Sequence, residues 1–426
     1  MTDETLDPRL ARALLAYSNG GIRPIDAMAV AEAAMGPAVR SRISRTALVR
    51  LALVAAVVLA TIGAAFVVVG SRPRTTEPVP SPVAPVPGAI SATGAMTLDR
   101  PGHAAVALQD GRVLVVGGVV GGVTLETAEL WDPATGAFTP AGYMTRFRGQ
   151  PTAIRLDDGR VLVVDGDSAE LYDPGSGSFS ATGSMLADWG PTYGDPPRVA
   201  TLLADGRVFV APGSWNEPAL GANIYDPATG TFTQTAGVPC GLVRTVARLR
   251  DGRVLITCLV TRYGAAGDPS AVIYDPATDT YAETGAPTTR NTEAAVLLPD
   301  GRVLLAGVRA ERASGPVDAA PSLSTDALDI YDPSTGTFAS VPMAPALISN
   351  AVGLGDGRVL LIGPTAASIF DPESATITPM PGSAGSHADS TVTLLQDGRV
   401  LIVGSDTVPG TSTPAIVLDP SLLPSP

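Results

Sequence analysis

The sequence predicts an all-β domain of seven four-stranded units closed into a ring, a seven-bladed β-propeller over residues 89–426, behind a short helical segment and one transmembrane helix. Three observations carry this reading. The tetrapeptide Asp-Gly-Arg-Val recurs with its Asp at 110, 158, 205, 251, 300, 356 and 397, a period of about 48 residues. An aromatic or apolar residue followed by Asp-Pro recurs as often, at Trp131, Tyr172, Tyr225, Tyr274, Tyr331, Phe370 and Leu418. Residues 51–70, LALVAAVVLATIGAAFVVVG, carry no charge.

The 426 residues are 45% hydrophobic and 16% charged, enough for a large buried core and incompatible with disorder throughout. Gly (46) and Pro (39) are abundant and aromatics are 5%, which suits a turn-rich all-β body. The net charge is −13 and all 28 basic residues are Arg, so nucleic acid is not an expected partner. The Arg-only, Ala-rich composition points to a GC-rich bacterial genome. Two cysteines form no CxxC or zinc-type cluster, and the fold is expected to need no metal or cofactor.

At about 1.5 Å per residue the uncharged run is long enough to cross a hydrocarbon layer of roughly 30 Å, and we place the helix at 47–70. It starts too far into the chain and runs too long for a cleaved signal peptide, and reads as a signal anchor. Arg40, Arg42, Arg45 and Arg50 precede it, against Arg72 and Arg74 after it, which puts the N-terminus in the cytoplasm and the body outside the cytoplasmic membrane. Residues 1–46 read as two short amphipathic helices, Pro8 to Ser18 and Pro24 to Met35, separated by Asn19-Gly20-Gly21. So small a unit buries its apolar faces only against a partner, itself or the membrane. Residues 71–88 are a Pro-rich spacer.

Within each repeat an apolar run such as 104–109 precedes Asp-Gly and another such as 112–118 follows it, the pattern of a β-hairpin. A variable stretch leads to a third strand ending at Asp-Pro. A turn of the type Asp-Pro-Ala-Thr-Gly then opens a fourth strand at Phe138, Phe179, Phe232, Tyr281, Phe338 or Ile377. The last repeat stops soon after its third strand, while residues 89–96, AISATGAM, match the second repeat's fourth strand, SFSATGSM at 178–185. The N-terminal segment therefore completes the last blade and closes the ring.

These units resemble Kelch repeats and the related central propeller of galactose oxidase. The resemblance covers roughly residues 89–420 and rests on the Arg100-x-x-His103 opening, the strand ending in Gly117-Gly118, and the Tyr-Asp-Pro followed by an aromatic. The Gly doublet survives only in the first repeat, and Phe replaces the family's usual Trp on the fourth strand. The family spans binders and enzymes, so the resemblance implies a fold and leaves the function open.

In a four-stranded meander the Asp-Gly and Asp-Pro turns share one face of the ring, and the loops of varying length share the other. Their aspartates and arginines are read as turn residues. Seven and ten residues before each Asp-Gly aspartate, where the innermost strand begins on the variable face, stand Arg100, His103, Arg148, Asp195, Arg198, Arg244, Arg290, Glu293 and His387. Such an Arg cluster suits a carboxylate, sulfate or acidic sugar; alternatively these side chains tie blades together. Copper-radical chemistry would draw on His103, His387, Tyr143, Tyr193, Tyr263 and Cys240, but the chain has only two His. A disulfide between Cys240 and Cys258 is allowed outside the cytoplasm, although hairpin register offsets them by several residues.

No nucleophile elbow, P-loop, zincin or EF-hand motif is present, and no complete catalytic constellation. The leading expectation is a binding module for a glycan or an extracytoplasmic protein. The alternatives are a carbohydrate-active oxidase or lyase, and a transmembrane sensor signalling to residues 1–46 and a cytoplasmic partner there.

Overall fold

A computed structural model describes residues 89–185, 198–211, 221–262, 265–289, 291–309, 325–341, 348–363, 366–380, 390–404 and 414–423. The chain divides into units 1–80 and 81–426, and every described residue belongs to the second. The helices expected in 1–46, the span at 47–70 and the spacer at 71–88 lie outside the described residues. Among the described residues no helix is long and apolar enough to cross a membrane.

The second unit is a seven-bladed propeller of antiparallel four-stranded sheets. Blade 1 runs outward through Ala104–Ala107, Val113–Val116, Val123–Trp131 and Phe138–Arg148, with a short additional strand, Val119–Val120, hairpinned onto the third. Blade 7 combines Thr391–Leu394, Val400–Val403 and Pro414–Leu418 with Ile90–Ala95, which pairs Ile90 to Leu418 and Ala92 to Ile416. The borrowed strand thus lies where the match between 89–96 and 178–185 puts it. The seven innermost strands neighbour one another in a closed circuit, blade 7 against blade 1 included.

The second strands read as unbroken apolar runs because both of their faces are covered. Val113 and Val115 pack with Leu401, Val403 and Val417 of blade 7, while Leu114 and Val116 pack with Val161, Val163 and Tyr172 of blade 2. Successive residues of one strand therefore serve opposite seams, as the period of two requires. The same alternation builds the seam between blades 3 and 4, where Phe209 and Ile224 meet Val254, Ile256 and Tyr274.

Both turn types lie at one end of the blades. Asp110 accepts the Arg112 backbone N–H on Oδ1 (3.1 Å) and the Arg112 Nε–H on Oδ2 (2.8 Å). All seven Asp-Gly-Arg turns repeat this pair. Three of these arginines also reach the next blade's Asp-Pro turn: Arg160 donates to the Pro227 carbonyl (3.2 Å), Arg207 to Pro276 (3.5 Å) and Arg358 to Pro420 (3.3 Å). The Arg reading as a turn residue was therefore incomplete, because the side chain is also a tie between blades.

The outer strands lock to the same turns. Gly94, Gly183 and Gly285 donate their backbone N–H to the carbonyls of Gly136, Gly230 and Gly336 in the next blade, at 2.7, 2.9 and 2.9 Å. At the other end the connections differ from blade to blade. The second and third strands are joined by Gly166-Asp167 in blade 2, by residues 212–220 in blade 3 and by 310–324 in blade 5.

Candidate functional site

The candidate residues sit at the loop end of the innermost strands. Arg100 and Arg148, on the lead-in to blades 1 and 2, are fully buried. Arg100 donates from Nη1 to the Thr127 carbonyl (2.8 Å) and the Gly117 carbonyl (3.3 Å), and from Nη2 to Glu129 Oε1 (2.7 Å). Arg148 repeats the pattern on the Ser168 and Asp165 carbonyls (3.1 and 3.3 Å) and on Glu170 Oε1 (2.8 Å). The second carboxylate oxygen accepts a backbone N–H of the same lead-in, from Thr97 on Glu129 (2.9 Å) and from Thr145 on Glu170 (2.6 Å). Each arginine thus locks the lead-in to a blade onto that blade's second and third strands; for Arg148 the lead-in is the end of the outer strand of blade 1. Burial pushes the Arg100 guanidinium below its ordinary value, and the charge and hydrogen bond of Glu129 oppose that.

The other described candidates link neighbouring blades. His103 is buried, with Nδ1 2.9 Å from the Arg100 carbonyl and Nε2 2.8 Å from Thr391 Oγ1 of blade 7. A carbonyl can only accept, so Nδ1 carries the proton and Nε2 accepts from the Thr391 hydroxyl. Burial pushes the ring pKa down to about 4. Arg198 of blade 3 donates from Nε to the Gly166 carbonyl of blade 2 (2.7 Å), and its own carbonyl accepts from the Thr152 hydroxyl. Arg244 of blade 4 pairs with Glu293 of blade 5 at 2.9 Å, with side chains 12% and 36% exposed, so this pair meets solvent where Arg100 and Arg148 do not. Asp195, Arg290 and His387 lie outside the described residues, as do Tyr193 and Tyr263.

Cys240 and Cys258 form a disulfide with Cα atoms 5.9 Å apart. Cys258 is paired in register with Val243, and Cys240 lies in the bend just before the strand Leu242–Arg248, so the disulfide bridges that short offset.

Sequence reading missed the third-strand carboxylates Glu129, Glu170 and Asp329, each two residues before the aromatic of Asp-Pro. Asp329 is fully buried and accepts the backbone N–H of Thr288 (2.6 Å) and Thr289 (2.8 Å) together with hydroxyls of Thr288, Thr289 and Ser340. An acid flanked by apolar residues two places before the Asp-Pro aromatic was the available signal, because a carboxylate is rarely buried without a partner.

The turn end offers a cleft of about 640 Å³ between blades 5 and 6, lined by Asp300, Arg302, Asp356, Arg358, Asp371 and Glu373. Its Asp300–Arg302 and Asp356–Arg358 pairs hold their own turns. Burial pushes the Asp356 carboxyl up, but hydrogen bonds from Arg358 more than offset this and leave it below the usual range.

Residues 100–145 match the Kelch motif. No curated protein matches the sequence. Among solved structures the fold is similar to that of a fungal alcohol oxidase of the AA5 family in complex with copper, at 16% identity and TM-score 0.59, covering 78% of this chain and 75% of that one. It is also similar to a streptogramin B lyase, at 11% identity and TM-score 0.55 over 78% and 97% of the two chains. A third is the extracellular domain of a hybrid two-component system from B. thetaiotaomicron, at 12% identity and TM-score 0.52 over 77% and 41%. These likenesses establish the fold alone.

The described residues do not fit a copper centre. Both ring nitrogens of His103 are engaged and Cys240 is held in a disulfide. Among the described residues no three His, Cys, Asp or Glu side chains are grouped to hold a metal ion.

Proposed function

We propose that this Kelch-type propeller is a binding or protein-interaction module, anchored by residues 47–70 with the propeller outside the cytoplasm, and that a glycan or an extracytoplasmic protein docks at its loop end. One observation carries the reading: the two ends of the ring are built on different rules. At the turn end every blade repeats the same Asp-Arg pair. At the loop end the connections vary in length from blade to blade, and the exposed side chains include Val123 (64%), Tyr143 (71%) and Phe147 (65%) on the third and fourth strands of blade 1. A rigid repeated scaffold carrying variable connections is how repeat proteins build binding surfaces.

The test is site-specific photo-crosslinking of the full-length chain on intact cells, with the photoreactive side chain at Val123 or Phe147 for the loop end and at Thr135 or Thr229 for the turn end. Crosslinked species are expected from the loop-end positions alone, and surface protease should release the propeller. Equal yields from both ends, or crosslinks from the turn end only, would overturn the docking face. Protection from surface protease would overturn the topology.

A further inference from the structure

The lock on the lead-in is not built the same way in every blade. In blades 1 and 2 an arginine ten residues before the turn aspartate reaches the last carbonyl region of the second strand, Gly117 or Asp165, and the third-strand Glu129 or Glu170. Blade 4 has neither partner. Its ten-before position is Gly241, and the third-strand position is Val272. Cys240, beside Gly241, is instead bonded to Cys258. Gly117, Asp165 and Cys258 each stand seven residues after their turn aspartate, at 110, 158 and 251. The disulfide therefore joins the same two places in its blade that the arginine joins in blades 1 and 2.

We propose that the Cys240–Cys258 disulfide replaces the arginine–glutamate lock in blade 4, so that the oxidation state of this one bond sets how firmly the loop end of the blade is held. The consequence reaches the next blade, because Arg244, on the strand that Cys240 leads into, makes the ion pair with Glu293. Two-electron reduction by a dithiol breaks the S–S bond and leaves a proton on each sulfur, while the dithiol closes to its own disulfide. Both sulfurs belong to buried residues, 5% and 2% exposed, so a reductant gains access only when the lead-in opens locally. The lock then persists in an oxidising compartment and is never made in a reducing one. This inference goes beyond the docking reading and does not depend on what binds.

The experiment uses the full-length protein in detergent. Intact mass after alkylation should show no adduct without reductant and two after reduction and unfolding. Cys240→Ser with Cys258→Ser should lower the unfolding midpoint by about 5 °C and raise amide exchange over residues 241–246 above that of the matching stretch in blade 1. Adding Gly241→Arg and Val272→Glu to the cysteine-free chain should recover at least half of the loss. Two free thiols in the native protein, an unchanged midpoint, or no recovery on installing the ion pair would each overturn the proposal. If the cysteine-free chain does not accumulate, wild-type protein reduced by dithiothreitol gives the same readout, and unchanged exchange at 241–246 after full reduction overturns it.

Discussion

His103 of blade 1 and Thr391 of blade 7 meet at 2.8 Å although 288 residues separate them in sequence. Their bond crosses the joint where the ring closes, inside the seam that the borrowed strand Ile90–Ala95 completes farther out. Burial of the ring holds it neutral, with Nδ1 donating to the Arg100 carbonyl and Nε2 accepting from the Thr391 hydroxyl.

The closure is therefore acid-labile. Burial lowers the folded pKa of His103 to about 4 from 6.5, so the unfolded chain binds the extra proton between those values. The contribution is complete above about pH 6.5 and is lost as pH falls towards 4, with a ceiling of about 3 kcal/mol from 1.36 kcal/mol per unit. The Asp-Gly aspartates, whose carboxyls lie below the ordinary value of 3.8, lose their contribution only as pH falls below that value and so add little down to pH 4.5. Urea unfolding at pH 7.5 and 4.5 should show the loss in wild type and a much flatter response in His103→Gln. Equal slopes in the two proteins would refute the assignment.

Removing one member of a buried ion pair strands the other. Glu170→Ala leaves the buried Arg148 guanidinium without its carboxylate and the Thr145 N–H without its acceptor. A loss of about 3 kcal/mol is expected, read as a lower denaturant midpoint with unchanged slope. Arg148→Met with Glu170→Leu should recover much of it, because apolar replacement of the whole pair leaves no bare charge.

The blade count, the four-stranded meander and the closing strand were legible because they are written in local chemistry. Asp-Gly and Asp-Pro set turns, unbroken apolar runs mark strands covered on both faces, and AISATGAM resembles a fourth strand standing alone. The locks were not legible, because Arg100 and Glu129 are partners only once the third strand folds back beside the lead-in. An arginine ten residues before a turn reads equally as a ligand residue or a brace. Only the fold shows Arg100 at 1% exposure and Glu293 at the surface.

Gly94 tests the contact between the closing strand and blade 1. A Cβ there would stand 2.4 Å from the Gly136 carbonyl oxygen, which accepts the Gly94 N–H at 2.7 Å, and both are backbone that cannot swing away. Gly94→Ala should cost about 2 kcal/mol. The neighbouring tie, Trp131 Nε1 to Thr93 Oγ1 at 3.2 Å, should loosen with it, so Trp131 fluorescence should shift in the native state. Gly398→Ala, with no atom within 4 Å of its Cβ but a φ of +85°, separates backbone strain from collision.

In blades 1 to 6 the Asp-Pro turns end on a left-handed residue, which is glycine at 136, 177, 230 and 336 but Asp279 in blade 4 and Ala375 in blade 6, both at φ 53°. A Cβ in that region costs about 1 kcal/mol unless something compensates. Asp279 is compensated, because its Oδ1 accepts the Tyr274 hydroxyl at 3.0 Å; burial and this hydrogen bond push the phenol above its ordinary pKa. Ala375 has no side-chain polar group to do so. Ala375→Gly should therefore stabilise the protein by about 1 kcal/mol less the entropy glycine adds to the unfolded chain, a net gain of roughly 0.5 kcal/mol. Asp279→Gly should give no gain, since relief of the same backbone costs the Tyr274 bond. Denaturant midpoints of the two variants side by side decide it: equal gains would mean that the Asp279 bond contributes nothing, and a loss at Ala375→Gly would mean that the turn holds no strain to relieve.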